Sequence, residues 1–193
     1  ERIMRNLGGV PAQIGYNPGI DGIPPYKHAT CISVNDEVIH GIPSKNRIIK
    51  EGDLVKLDIG ACKDGYHGDS AWTYKVGEVS KEAEYLMQVT HDALFAGLAQ
   101  AKPGNRVGDL SSAIQKHAEA NGYSVTRDFT GHGLGKEMHE DPMVPNFGTP
   151  GTGPVLKEGM TLAVEPIILE GRKDVFILPD EWTAVTCDRK LAA

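Results

Sequence analysis

A chain of 193 residues, 40% hydrophobic and 24% charged, with 23 Gly and 12 Pro scattered along its length, has the composition of a globular domain and excludes a disordered or low-complexity chain. A net charge of −6 without a basic cluster argues against nucleic acid as a partner, and no apolar run reaches the roughly 18 to 20 residues that cross a bilayer. The first residues lack the apolar stretch of a signal peptide, and Cys31, Cys62 and Cys187 lack Cys-x-x-Cys spacing. The expectation is one cytoplasmic domain, monomeric, with no membrane partner and with each cysteine a small buried hydrophobe.

Residues 8 to 28 are rich in Gly and Pro and predict a loop. In "ATCISVNDEVIHGIP", alternation of Ile32 and Val34 against Cys31, Ser33 and Asn35 predicts a strand, a turn near Asn35-Asp36 and a returning strand that ends at His40. "DLVKLDIGACKDGYHGDSAWTYKVG" then alternates Val55, Leu57 and Ile59 with Lys56 and Asp58, and Asp64-Gly65 is a strong hairpin-turn signal. Centred on Lys63 to Gly65, that hairpin would set Asp58 directly opposite Asp69 on one face. Two acids so placed repel unless a Lys or Arg from elsewhere, or a bound cation, lies between them.

Ser80 is a suitable N-cap for a helix presenting Ala83, Leu86, Met87, Ala93, Leu94 and Leu98, with Pro103-Gly104 as its stop. A second helix, from about Val107 to Asn121, presents Leu110, Ala113, Ile114 and Ala118. His91 and His117 fall inside these helices and are read as solvated or core residues. Three further β-rich stretches follow: "FTGHGLGKEMHEDP" with His132 between two glycines and His139 seven positions later, "VLKEGMTLAVEPII" with Glu165 among apolar residues, and "EWTAVTCD". The class is α+β, with helices covering one face of a mostly antiparallel sheet.

Three carboxylates and one imidazole, Asp58, Asp69, Glu165 and His132, suit Mn²⁺, Fe²⁺, Co²⁺ or Zn²⁺, and the absence of nearby thiolates argues against a structural zinc knot. A carboxylate-rich set of this kind can hold two ions about 3.5 to 4 Å apart for metal-assisted hydrolysis. Read singly, each residue also has an ordinary structural explanation: the acids as a solvated hairpin face, the histidines as loop residues.

Four segments together, "CISVNDEVIHGIP", "LDIGACKDGYHGD", "GHGLGKEMHEDP" and "GMTLAVEP", resemble the type I methionine aminopeptidases in order and spacing, from about residue 8 to 189. The resemblance implies the pita-bread fold with a pseudo-twofold relation between halves. It also implies removal of the initiator methionine from new polypeptides, with a peptide or nascent chain beginning in Met as partner and the ribosome as a docking place. It makes Asp58, Asp69, His132 and Glu165 metal ligands for two divalent ions, Glu165 a proton shuttle as well, and His40 and His139 the histidines that contact substrate and stabilise the tetrahedral intermediate. Tyr16, Cys31, Met138, Trp182 and His40 fall where that family lines its methionine pocket, Met138 standing where an aromatic residue is expected. The family's fifth ligand, a glutamate on a later strand, has no counterpart at Glu170 or Glu181, and its N-terminal helical segment is absent. Residues 1–193 are therefore expected to form one catalytic domain lacking those two pieces, with metal occupancy and activity impaired. Segment 17 to 28 is longer and richer in proline than the family's usual loop. The alternatives are an aminopeptidase P or prolidase-like peptidase, which needs a larger chain, and a non-catalytic pita-bread binding module, which would have substituted ligands.

Overall fold

The computed structural model describes residues 1–193, and every strand pairing in it is antiparallel. A short helix α1 (Arg2–Asn6) leads to β1 (Val10–Pro11), β2 (Cys31–Val34) and β3 (Glu37–Ile39). The long hairpin follows as β4 (Leu54–Lys63) and β5 (Tyr66–Lys75). After it come α2 (Lys81–Leu98), α3 (Val107–Ala120) and β6 (Ser124–Val125). The last strands are β7 (Thr130–Gly133), β8 (Glu140–Pro145), β9 (Leu162–Ala163), β10 (Ile168–Leu169), β11 (Val175–Ile177) and β12 (Ala184–Thr186).

The hairpin is built as its turn residues require. Asp64 and Gly65 take φ of 54° and 81°, the two consecutive left-handed residues of a tight two-residue turn whose twist matches the strands. Lys63 therefore faces Tyr66, Asp58 faces Ala71 and Asp69 faces Gly60. The expectation that the two aspartates directly oppose each other is corrected: the turn's centre lies one residue later than the symmetric reading placed it. They are diagonal neighbours instead, and because the slip amounts to two residues on one strand they still share a face.

Strand β4 is the spine of its sheet, with β5 along one edge and β1 and β2 on the other. The turn at Asn35-Asp36 exists, with Asn35 at φ 56°, but β2 and β3 do not form a bonded pair: β2 joins β4, and β3 joins β12 in a second sheet with β11. "VLKEGMTLAVEPII" similarly forms only the short β9, which pairs with β7, and Glu165 lies just beyond it.

Helix α2 starts as read, with Ser80 Oγ accepting the amide of Ala83. Leu86, Val89 and Ala93 of α2 pack on Leu110, Ile114 and Ala118 of α3, together with Val125, Val144 and Ile168, to form the largest core. Met87 packs at the margin of that core, whereas Leu94 and Leu98, assigned to the same face by spacing, turn elsewhere; all three line a cleft of about 690 Å³ between α2, the unpaired edge of β5 and segment 162–167. Leu98 is 40% exposed there. Of the cysteines only Cys31 is buried; Cys62, near the end of β4, is half-buried, and Cys187, just past β12, is exposed, so the expectation of three buried thiols is corrected. His91 is exposed and touches Asp92 at 3.0 Å. No helix is long and apolar enough to cross a membrane.

The α2–α3 contact depends on Gly97, where a Cβ would stand 2.7 Å from Ile114 Cγ1. Gly97→Ala gains about 1 kcal/mol of helix propensity but overpacks a close contact, which typically costs about 1 to 3 kcal/mol. A urea titration should therefore show a lowered midpoint; a raised one would mean that the helices separate freely.

Candidate metal centre

The hairpin presents Asp58 and Asp69 on one face, and Cys31 of β2 lies directly across from Asp58 on the other side of the spine. His132 comes from β7, the middle strand of its sheet, paired with Met143 of β8 and Ala163 of β9. The glycines around it are needed for packing: a Cβ at Gly131 would collide with the Ala163 carbonyl, and one at Gly133 with the Asp141 carbonyl. Three strands can thus crowd around the imidazole and bring Glu165 to it.

His132 Nε2 lies 3.5 Å from Asp69 Oδ2 and 3.3 Å from Glu165 Oε1. One candidate ligand atom from each of Asp69, His132 and Glu165 lies within 4.8 Å of the others. Asp58 stands just outside that group. His132 Nδ1 is 2.8 Å from the Gly133 carbonyl oxygen, so an N–H there donates to it and Nε2 is the nitrogen that faces the carboxylates. Glu165 Oε1 is buried, and His132 Nε2 at 3.3 Å is the contact it has.

The electrostatics are those of buried acids held close together. Burial, followed by the charges of Asp69 and Glu165, pushes the Asp58 carboxyl up to about 7. Burial alone would lower the His132 imidazole, but its contacts with Asp69 and Glu165 and the Gly133 carbonyl hold it at about 10. In the metal-free protein that proton is the positive charge the carboxylates find. A divalent cation would replace it, and an oxygen-rich set with one imidazole nitrogen is the donor chemistry such ions take. The buried Glu165 oxygen points the same way.

Around this cluster lie the other residues singled out from sequence. The ring centroid of His139 is 4.1 Å from that of His132 and 4.9 Å from that of Tyr16. Burial and the charge of His132 lower the His139 imidazole below its ordinary value. His40 follows β3 with a φ of 58°, and Gly41 beside it crosses β2 so closely that a Cβ would strike the Ile32 carbonyl. Its ring meets Trp182 edge-on at 5.9 Å and Phe129 at 5.6 Å, and burial, then repulsion from His139, lowers it to about 4. Trp182 and Cys31 share a small core with Tyr16 at its margin, and Met138 Cε rests over Gly60. All ten candidate residues therefore gather in one region.

Two neighbours escaped the sequence reading. Tyr26 is 3% exposed, donates its hydroxyl to the Gly41 carbonyl at 3.0 Å and meets Trp182 edge-on at 5.0 Å. Its only signal was an aromatic residue amid loop-forming Gly and Pro. Gln13 is 5% exposed with its Nε2 3.5 Å from Asp58 Oδ1, and nothing local in the sequence marks it. The cleft beside α2, meanwhile, is lined by His40, Asp58, Asp69 and Glu165 but by none of Tyr16, Cys31, Met138 or Trp182. The cluster thus borders a small aromatic core as well as that cleft.

The family model of metallopeptidase family M24 matches residues 12–186. Methionine aminopeptidase 1 of Bacillus subtilis is 46% identical over 193 residues, spanning 100% of this chain and 75% of that protein. The methionine aminopeptidase of Clostridium acetobutylicum is 49% identical over 193 residues, covering 100% of this chain and 74% of its own length. Among solved structures, methionine aminopeptidase from Thermotoga maritima superposes with a TM-score of 0.94 at 48% identity, over 99% of this chain and 74% of that one. Prolidase from Pyrococcus furiosus gives 0.65 at 28% identity, over 84% of this chain and 44% of its own.

Proposed function

This chain belongs to metallopeptidase family M24, with the pita-bread fold of the methionine aminopeptidases, and from that premise we propose that it is a metalloaminopeptidase removing the N-terminal methionine from peptides and newly made polypeptides. The observation that carries the reading is the convergence of Asp69, His132 and Glu165 within 4.8 Å, with the small core of Tyr26, Cys31 and Trp182, Tyr16 at its margin, beside them. Identity of 46–49% to methionine aminopeptidases, against 28% to a prolidase, favours this over the proline-directed alternative.

Asp58, Asp69, His132 and Glu165 would hold the divalent ions, two of them and of the Mn, Fe, Co or Zn class. When bound, such ions supply Lewis acidity and lower the pKa of water. The remaining work is assigned to the chain's own groups. Glu165, with a buried oxygen beside His132 Nε2, accepts and returns a proton. His139, neutral at pH 7, and His40 donate N–H groups toward the oxygen that gains charge during peptide cleavage. The aromatic side chains of Tyr16, Tyr26 and Trp182, with Met138 close by, are assigned to receive the flexible methionine side chain by burial and sulfur–aromatic contact. Proteins of this reading meet their substrates in the cytoplasm, at or after the ribosome.

The test is peptide hydrolysis after dialysis against a chelator. Added Mn²⁺ should restore methionine release from Met-Ala-Ser but leave Ala-Pro dipeptides intact. Faster cleavage of the proline substrate, or no response to Mn²⁺, Co²⁺, Fe²⁺ or Zn²⁺, would remove the proposal.

A further inference from the structure

Glu165 shares no sheet with the hairpin acids. Asp58 lies on β4 and Asp69 on β5, whereas Glu165 follows β9 and leads through Pro166 and Ile167 into β10, whose strand partner is β6. Its distance from the hairpin must be set by something other than strand pairing. Residues 191–193 lie between the two. On one edge they bond to β10: Ile168 and Ala193 each donate an amide to the other's carbonyl, at 2.9 and 3.0 Å, and the Glu170 amide donates to the Leu191 carbonyl at 2.9 Å. On the other edge the Ala192 amide donates to the carbonyl of Asn35, at the turn after β2, at a long 3.2 Å.

Lys56 completes that second edge. From β4 its Nζ donates to the Ala192 carbonyl at 2.8 Å and to the Asn35 carbonyl at 2.9 Å. It stands two residues before Asp58, so both side chains leave the strand on the same face, and both line the cleft beside α2. Ala192 is wholly buried among Val38, Ile167, Leu169 and Ala184, and its carbonyl takes its hydrogen bond from Lys56. A buried carbonyl left without a donor is costly, which commits the amine to this place. Two N–H groups suffice for the two bonds, so the brace holds whether the amine is charged or neutral. We propose that Lys56 is a positioning residue of the metal centre: by holding the Ala192 carbonyl it fixes segment 191–193 and β10 against β4, and so sets where Glu165 stands relative to Asp58 and Asp69. This rests on the reading of those acids as ligands and adds a residue that is not itself one.

Lys56→Met keeps the length of the stem without its donors, and two readouts judge it without catalysis. In hydrogen exchange of the metal-free protein, the amides of Ile168, Glu170, Ala192 and Ala193 should speed up about tenfold more than those of α2 do. In calorimetric titration, Mn²⁺ affinity should fall about tenfold, the lower end of what removing a ligand's support costs. Gly97→Ala, which disturbs the α2–α3 contact instead, controls for general loss of stability and should bind Mn²⁺ as the wild-type chain does. Should Lys56→Met melt too low to titrate, Lys56→Gln takes its place with the same expectations, its N–H donors sitting on a stem one atom shorter. Equal exchange in the two regions, unchanged Mn²⁺ affinity, or a matching loss of affinity in Gly97→Ala would each overturn the proposal. A wild-type chain that binds Mn²⁺ but releases no methionine from Met-Ala-Ser would end the aminopeptidase reading and leave this one standing, whereas one that binds no Mn²⁺ would end both.

Discussion

Asp69→Asn should abolish metal-dependent hydrolysis and lower Mn²⁺ affinity by at least about a hundredfold, since groups that merely support a ligand already cost about 10- to 100-fold when removed. Asp69 is the carboxylate that touches most of the cluster: 3.5 Å from His132 Nε2, part of the tight group with Glu165, and the largest charge acting on Asp58. An amide keeps its shape but not its charge. His132 would also lose one of the two carboxylates that keep it protonated, so its imidazole should titrate lower than about 10. Asp64→Asn is the matched control, because it changes an exposed acid at the turn tip where Asn tolerates the positive φ equally well. Calorimetric Mn²⁺ titrations of the two variants, with Met-Ala-Ser hydrolysis alongside, make the comparison. Unchanged affinity in Asp69→Asn would return the hairpin acids to a solvated surface.

The ligand candidates were legible because each sits on or beside a strand with a visible two-residue period or a local oddity: acids facing inward on a hairpin, a histidine between glycines, a glutamate among apolar residues. Their register was not legible. Counting outward from Lys63-Asp64-Gly65 placed Asp58 opposite Asp69, whereas a two-residue turn gives the loop to Asp64 and Gly65 alone and pairs Asp69 with Gly60. The conclusion about a shared face survived because parity, not exact pairing, decides which side a residue points to. Long-range choices left no such trace. Nothing around Asn35 announces that β2 and β3 part into different sheets, nor does the spacing of Leu94 and Leu98 show that their side of α2 borders a cleft and not the α3 core. Tyr26 and Gln13 were missed for the same reason: their contacts, Trp182 and Asp58, lie far away in the chain.

Asp58→Asn should do something less common, stabilising the metal-free protein while weakening its grip on metal. The Asp58 carboxyl is raised from an ordinary 3.8 to about 7 by burial and by the charges of Asp69 and Glu165. Between those values the folded chain holds a proton that the unfolded chain has given up, so wild-type stability from this group is complete below pH 4 and lost as pH rises through 7. Asparagine carries no such penalty. The variant's advantage in a thermal melt without metal should therefore be absent near pH 4, grow through pH 5 to 7 and level off by pH 8, at an order of 1 to 3 kcal/mol, allowing for residual solvent at the site. Taking the difference between variant and wild type also cancels the opposing titration of His40, whose lowered value acts in the other direction over part of the same window. Saturating Mn²⁺ should reverse the order, because a cation turns the carboxylate's cost into a contact that the amide makes more weakly. A wild-type chain that stays more stable than Asp58→Asn at pH 8 without metal would mean that the protein itself neutralises these acids, and the physical case for a cation between them would lapse.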